Sequence, residues 1–156
     1  MKILFVCLGN ICRSAAAEAI MKSQLNQHGV SDYQVDSVGT AAYHQGELAD
    51  ARMRDHAAKR EYDITSISRQ VVPEDAERFD WIVVMDEQNW RDIHVMLPAT
   101  AHHKIHRFAD FCQVQQITEV PDPYYGGAQG FECVIDILED GCQGLLHAIM
   151  ASRSND

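Results

Sequence analysis

KILFVCLGNICRSAAAE, Lys2 to Glu18, opens the chain with an apolar run, a short polar loop and the beginning of a helical pattern. Lys2 to Val6 is an unbroken apolar stretch of the kind that suits a strand buried on both faces of a sheet. From Ser14 onward, Ala17, Ile20, Met21 and Leu25 recur at helical spacing. Strand, loop, helix is the first unit of a parallel α/β architecture. Right-handed crossovers then return each helix to the sheet, and a ligand site falls at the carboxyl ends of the strands. The loop from Cys7 to Ser14 is where chemistry is expected.

Working outward, Gln34 to Val38 predicts a second strand, and Asp50 an N-cap for a helical stretch reaching Arg60. Asp80 to Met85 (DWIVVM) predicts a third strand, followed by a short helix through Trp90, Ile93 and Leu97 that stops at Pro98. Lys104 to Phe108 predicts a fourth strand. Phe131, Val134, Ile135, Leu138, Cys142, Leu145, Leu146 and Ile149 fall on one face of a final helix. The expectation is an α/β three-layer sandwich, a parallel sheet with helices on both faces. At 156 residues, 46% of them hydrophobic, with no repeat or linker, residues 1–156 should form a single domain.

Charge and cysteine usage narrow the function. Asp and Glu number 23 against 13 Lys and Arg, a net charge of -10, so no basic face is expected for nucleic acid or an anionic membrane. The apolar run Ile3 to Leu8 is too short for a signal-peptide core or a membrane span, and the expected location is cytoplasmic. Five cysteines, Cys7, Cys12, Cys112, Cys133 and Cys142, form neither a secreted disulfide framework nor the C-x2-C pairs of a zinc site. An important cysteine should be a reactive thiol. His102, His103 and His106 have no carboxylate or cysteine spacing that reads as a metal site and should be solvated loop, so neither metal nor cofactor is expected.

The loop itself reads Cys7-Leu8-Gly9-Asn10-Ile11-Cys12-Arg13-Ser14, a C-x5-R-S arrangement behind a strand and ahead of a helix. Successive backbone N–H groups of a tight loop can turn inward, and a helix starting near Ser14 adds its positive dipole end, which together suit a phosphate. Gly9 tolerates the conformation that a sharp turn needs, while Asn10 can adopt left-handed geometry and brace the loop by its amide. Arg13 supplies a planar fork that can bind two phosphoryl oxygens, a geometry lysine lacks. A free thiol is only about 3% ionised at pH 7, so donors around Cys7 matter by holding its thiolate. Ser14 can give its hydroxyl to that sulfur and ease its departure from a thiophosphate.

VCLGNICRSAAAE resembles the signature loop of low-molecular-weight protein tyrosine phosphatases of the bacterial type. DSVGTAAY resembles that family's second strand and pocket edge, MDEQNWRDI its third strand and following helix, and PDPYYGG its general-acid loop. The order and spacing match over nearly the whole chain. The resemblance implies a four-stranded parallel sheet in the order 2-1-3-4 and metal-independent hydrolysis of aryl phosphate monoesters, phosphotyrosine above all, through a cysteinyl-phosphate. It assigns Cys7 as nucleophile, Arg13 as phosphate clamp, Ser14 as donor to the leaving thiolate and Asp122 as proton donor. Leu8, Ile11 and Cys12 would join Gly9 and Asn10 around the bound group, and Tyr124, Tyr125 and Tyr43 would wall a pocket deep enough for a phenyl ring. Tyr43 stands where relatives often carry Trp, Ala15 where they carry Pro, and Glu61 where Gly often ends the second helix.

The partners this implies are a phosphotyrosine-containing protein, with a tyrosine kinase as a candidate, and phosphate or related oxyanions as inhibitors. Cys12, five residues after Cys7, would capture an oxidised Cys7 as a disulfide. Two rivals share the phosphate loop. A thiol-dependent arsenate reductase would need further cysteines after the third strand, but Met85 to Leu97 contains none and the next is Cys112. A non-catalytic phosphate-binding module would need neither Cys7 nor Asp122.

Overall fold

The computed structural model describes residues 1–123 and 126–154. Four strands, β1 (Lys2–Cys7), β2 (Gln34–Gly39), β3 (Trp81–Val84) and β4 (Ile105–Arg107), form one parallel sheet in the order β2-β1-β3-β4, the order implied by the resemblance. Five α-helices connect and cover it: α1 (Arg13–Gln27), α2 (Ala51–Ala58), α3 (Asp75–Arg78), α4 (Glu87–Met96) and α5 (Gly127–Ser154).

The apolar run in β1 is continuous because the strand is central and each face meets a different core. Ile3, Phe5 and Cys7 pack with residues of α1, α2 and α5, whereas Leu4 and Val6 pack with residues of α3, β3 and α4. Ile3 to Val6 are all fully buried, as expected of a strand sandwiched between two helical layers. On the first face α5 rests directly on a 3-10 turn, Phe108–Phe111. A Cβ on Gly141 would lie 2.0 Å from the Phe108 ring, and one on Gly144 1.8 Å from the Phe111 carbonyl oxygen, so this contact exists only because both positions lack a side chain.

The structure trims several expected boundaries. β4 has three residues rather than five, because Lys104 ends one 3-10 turn and Phe108 begins another. α2 stops at Ala58 rather than Arg60. Glu61 adopts φ 67° and the Tyr62 N–H turns back to the Ala57 carbonyl, the left-handed termination that glycine usually provides. α3 and the two 3-10 turns are too short to impose a period on the sequence. Of the histidine segment only His103 is exposed as expected: His102 bonds the Leu97 carbonyl oxygen through Nε2, and His106 stacks on Trp81 at 5.0 Å. Among the described residues no helix is long and apolar enough to cross a membrane, and no group of three or more His, Cys, Asp or Glu could hold a metal ion.

Candidate active site

β1 ends at Cys7 and α1 begins at Arg13, so the loop between them sits at the carboxyl edge of the sheet. Its carbonyls are drawn outward one after another. The oxygen of Cys7 accepts from Thr40 N–H at 2.9 Å, that of Leu8 from Ala41 N–H at 3.0 Å, that of Ile11 from Asp50 N–H at 2.9 Å and that of Cys12 from Ala16 N–H at 3.0 Å. Ser68 donates its hydroxyl to the Gly9 oxygen at 2.9 Å. With the carbonyls occupied outside, the peptide N–H groups are left to face the enclosed space, which is the construction of an anion-binding nest. The N-cap residue of α1, Cys12, makes no side-chain capping bond, so the first-turn N–H groups add to the same donor set.

The loop's conformational cost falls on Asn10, which has φ 58°, the left-handed geometry that the sequence reading allows it. Asparagine tolerates this region because its side chain bonds locally, and here Nδ2 donates to Ser14 Oγ at 2.8 Å while Oδ1 accepts from Arg69 N–H at 3.1 Å. At Gly9 a Cβ would stand 3.1 Å from the His44 ring, which would have to give by a few tenths of an ångström. Gly39 is tighter still, since its Cβ would lie 2.7 Å from the Leu8 carbonyl oxygen. The end of β2 can approach the loop only as glycine.

Cys7 is buried, and Sγ receives the Asn10 N–H at 3.3 Å and lies 3.0 Å from Ser14 Oγ. Because the Asn10 amide can only donate to Ser14, the serine proton has two acceptors within reach, the Cys7 sulfur at 3.0 Å and the Val38 carbonyl at 3.4 Å, and a thiolate draws it to the nearer one. The Ser14 hydroxyl serves Cys7, and the N-cap of α1 is Cys12. Arg13 is also buried. Its Nη1 donates to Asp86 Oδ2 at 2.7 Å and to the Val120 carbonyl at 3.1 Å, and Nη2 lies 3.6 Å from Asp122 Oδ2. Burial works against the guanidinium charge, but the negative charges of Cys7 and Asp86 outweigh it and hold Arg13 above its ordinary range. Asp86 fills two roles at once, since Oδ1 accepts from Asn89 N–H to cap α4 while Oδ2 holds Arg13.

A cavity of about 270 Å³ opens over these groups, with Cys7, Cys12 and Arg13 among its lining. Leu8, Ile11, Tyr43, His44 and Asp122 line it as well. Tyr43 is 74% exposed, so it belongs to the mouth and not the floor. Cys12 is buried, and that burial, followed by the nearby charge of Asp50, pushes its thiol far above the usual range, leaving it neutral. The Asp122 side chain is 41% exposed and faces Arg13. Tyr124 and Tyr125 lie outside the described residues. Ser68, Arg69, Val120 and His44 were not legible in the sequence. They reach the loop from distant segments by single bonds or contacts that leave no local pattern.

The family model described as low molecular weight phosphotyrosine protein phosphatase matches residues 2–155. A Synechocystis chain named as a low molecular weight protein-tyrosine-phosphatase is 50% identical over 151 residues, covering 96% of both chains. The low molecular weight phosphotyrosine protein phosphatase of Schizosaccharomyces pombe is 35% identical over 152 residues, covering 96% of this chain and 97% of that one. Among solved structures, a protein tyrosine phosphatase from Entamoeba histolytica with Hepes in its active site superposes with a TM-score of 0.96 at 49% identity, covering 98% of this chain and 99% of the other.

Proposed function

The chain belongs to the low molecular weight phosphotyrosine protein phosphatase family, and from that membership we propose that it hydrolyses phosphotyrosine in proteins, without a metal, through a phosphocysteine at Cys7. The observation that carries this reading is the donor-lined cavity over Cys7, with Arg13 at its edge and the Asp122 carboxylate 3.6 Å from that guanidinium. A phosphoryl group in the nest meets the Cys7 thiolate in line, while the loop N–H groups and Arg13 follow the charge on its oxygens. Asp122 gives its proton to the departing phenolate. In the second step the same carboxylate takes a proton from water, which attacks phosphorus, and the Ser14 hydroxyl stabilises the thiolate that leaves.

Arg13 is already oriented by Asp86 and the Val120 carbonyl, so its fork does not have to be ordered by the substrate. The Leu8, Ile11 and Tyr43 side chains give an aryl ring apolar surface between mouth and floor, which the shorter side chain of a phosphoserine would not span. The partners are phosphotyrosine proteins, a tyrosine kinase being one candidate, met in the reducing cytoplasm where free thiols persist. Inorganic phosphate and related oxyanions would compete for the nest.

The test is turnover of p-nitrophenyl phosphate and a phosphotyrosine peptide in the presence of EDTA, with competitive inhibition by inorganic phosphate. Release of phosphate from both is expected, and no release from either would overturn the reading. Cys12 shares the cavity with Cys7, which supports capture of an oxidised Cys7 as a disulfide. Peptide mapping after peroxide should find the Cys7–Cys12 link, whereas sulfinic acid at Cys7 beside a free Cys12 would remove it.

A further inference from the structure

The loop that carries Asp122 is tied to the end of β3 through Val120, whose N–H bonds the Met85 carbonyl. On its other side it leans on the start of α5. The Gly126 N–H, one residue before α5, bonds the Pro123 carbonyl at 2.9 Å, and Pro123 faces Gly130 of the first turn across a gap that a methyl group would fill. That turn is a poor foundation by itself, since Gly127 and Gly130 lie within it and glycine is a weak helix former.

What fixes it lies one residue further along. Phe131 is fully buried and stacks on His56 of α2, centroids 5.5 Å apart and planes within 4°. The Arg52 guanidinium lies over the same Phe131 ring at 4.9 Å. Glu132 accepts from His56 Nδ1 through Oε2 and from Arg60 Nη2 through Oε1 at 3.0 Å. α2 is itself tied to the phosphate loop, because the N–H of its cap residue Asp50 bonds the Ile11 carbonyl. A continuous set of contacts thus runs from the phosphate loop through α2 and the start of α5 to Pro123, next to Asp122.

We propose that His56, by stacking on Phe131 and holding Glu132, is a positioning residue that sets Asp122 at the height of the leaving oxygen. The proposal rests on the reading of Asp122 as proton donor. His56 touches neither the cavity nor the reacting atoms, so its loss should leave the phosphate nest intact and impair only the step that needs the acid.

The experiment compares kcat/KM for p-nitrophenyl phosphate, a leaving group that departs readily, with that for phenyl phosphate, one that needs protonation. It is run in His56→Ala and in Glu132→Gln, the second being a milder change that keeps the volume should the first fail to fold. A displaced acid should lower the phenyl phosphate value about 10-fold more than the p-nitrophenyl phosphate value. The inhibition constant of inorganic phosphate should stay unchanged. In an Asp122→Ala background, neither substitution should add to the leaving-group dependence, since both act through the missing carboxyl. Equal losses on both substrates, a weakened inhibition by phosphate, or no loss at all in the folded variants would overturn the proposal. If Asp122→Ala alone shows no leaving-group dependence while His56→Ala does, the proton-donor reading fails. If Asp122→Ala shows it and His56→Ala and Glu132→Gln do not, the positioning role alone fails.

Discussion

Cys7→Ser is expected to lower turnover of every aryl phosphate by on the order of 10⁴-fold or more, to below detection in an ordinary assay. The reason lies in what surrounds the sulfur. Asn10 N–H at 3.3 Å donates to it, and Ser14 Oγ at 3.0 Å is oriented as a donor by the Asn10 amide. Arg13 adds a fixed positive charge nearby. Such a setting stabilises an anion at the sulfur's position, but none of the groups bonded there is a base that could take a proton from a hydroxyl. The serine would remain a neutral alcohol in a site built for a thiolate. Because the loop carbonyls, Arg13 and Asp86 are not altered, the variant should still bind a phosphotyrosine peptide and keep its thermal midpoint within a few degrees. A purified Cys7→Ser protein with near-parental turnover would show that no covalent intermediate forms on this residue.

The sequence and the structure agree most closely where one stretch of chain determines its own environment. KILFV is apolar without alternation because both faces of β1 are covered, and that alone places Cys7 at the carboxyl edge of the sheet and Arg13 in the first turn of a helix. The agreement weakens where an interaction depends on distant chain. Asn10 is legible as the left-handed residue of the turn, but the Arg69 N–H that holds its amide oxygen, opposite Ser14, is not. Arg69 could not be foreseen, as its approach depends on ion pairs to Asp36 and the fully buried Asp75. Asp86 illustrates a further limit. A sequence offers a cap or a support as alternatives, but a carboxylate has two oxygens and the structure uses one for each.

Asp122→Ala is expected to cost about 10²- to 10⁴-fold in kcat/KM on phosphotyrosine and phenyl phosphate, and much less on p-nitrophenyl phosphate. Tyrosine leaves as a phenolate whose conjugate acid has a pKa near 10, so without a proton the bond to phosphorus breaks slowly, whereas a nitro-substituted phenolate carries its charge unaided. The structure keeps this carboxylate within 3.6 Å of Arg13 Nη2, partly exposed, at the edge of the cavity over Cys7. An entering phosphate dianion competes with the carboxylate for that guanidinium and repels it. Both effects move Asp122 off Arg13 and free its carboxyl for the leaving group. The pH dependence follows with a definite sign. A carboxylic acid donor is titrated away as pH rises, so kcat/KM for a poor leaving group should fall on the alkaline side, and this fall should be lost in Asp122→Ala. A loss of equal size on all three substrates, or an alkaline limb unchanged by the substitution, would assign the proton to another group. Because the second step asks the same carboxylate to accept a proton from water, the variant should also accumulate phosphocysteine, visible as a burst of p-nitrophenol followed by slow steady-state release.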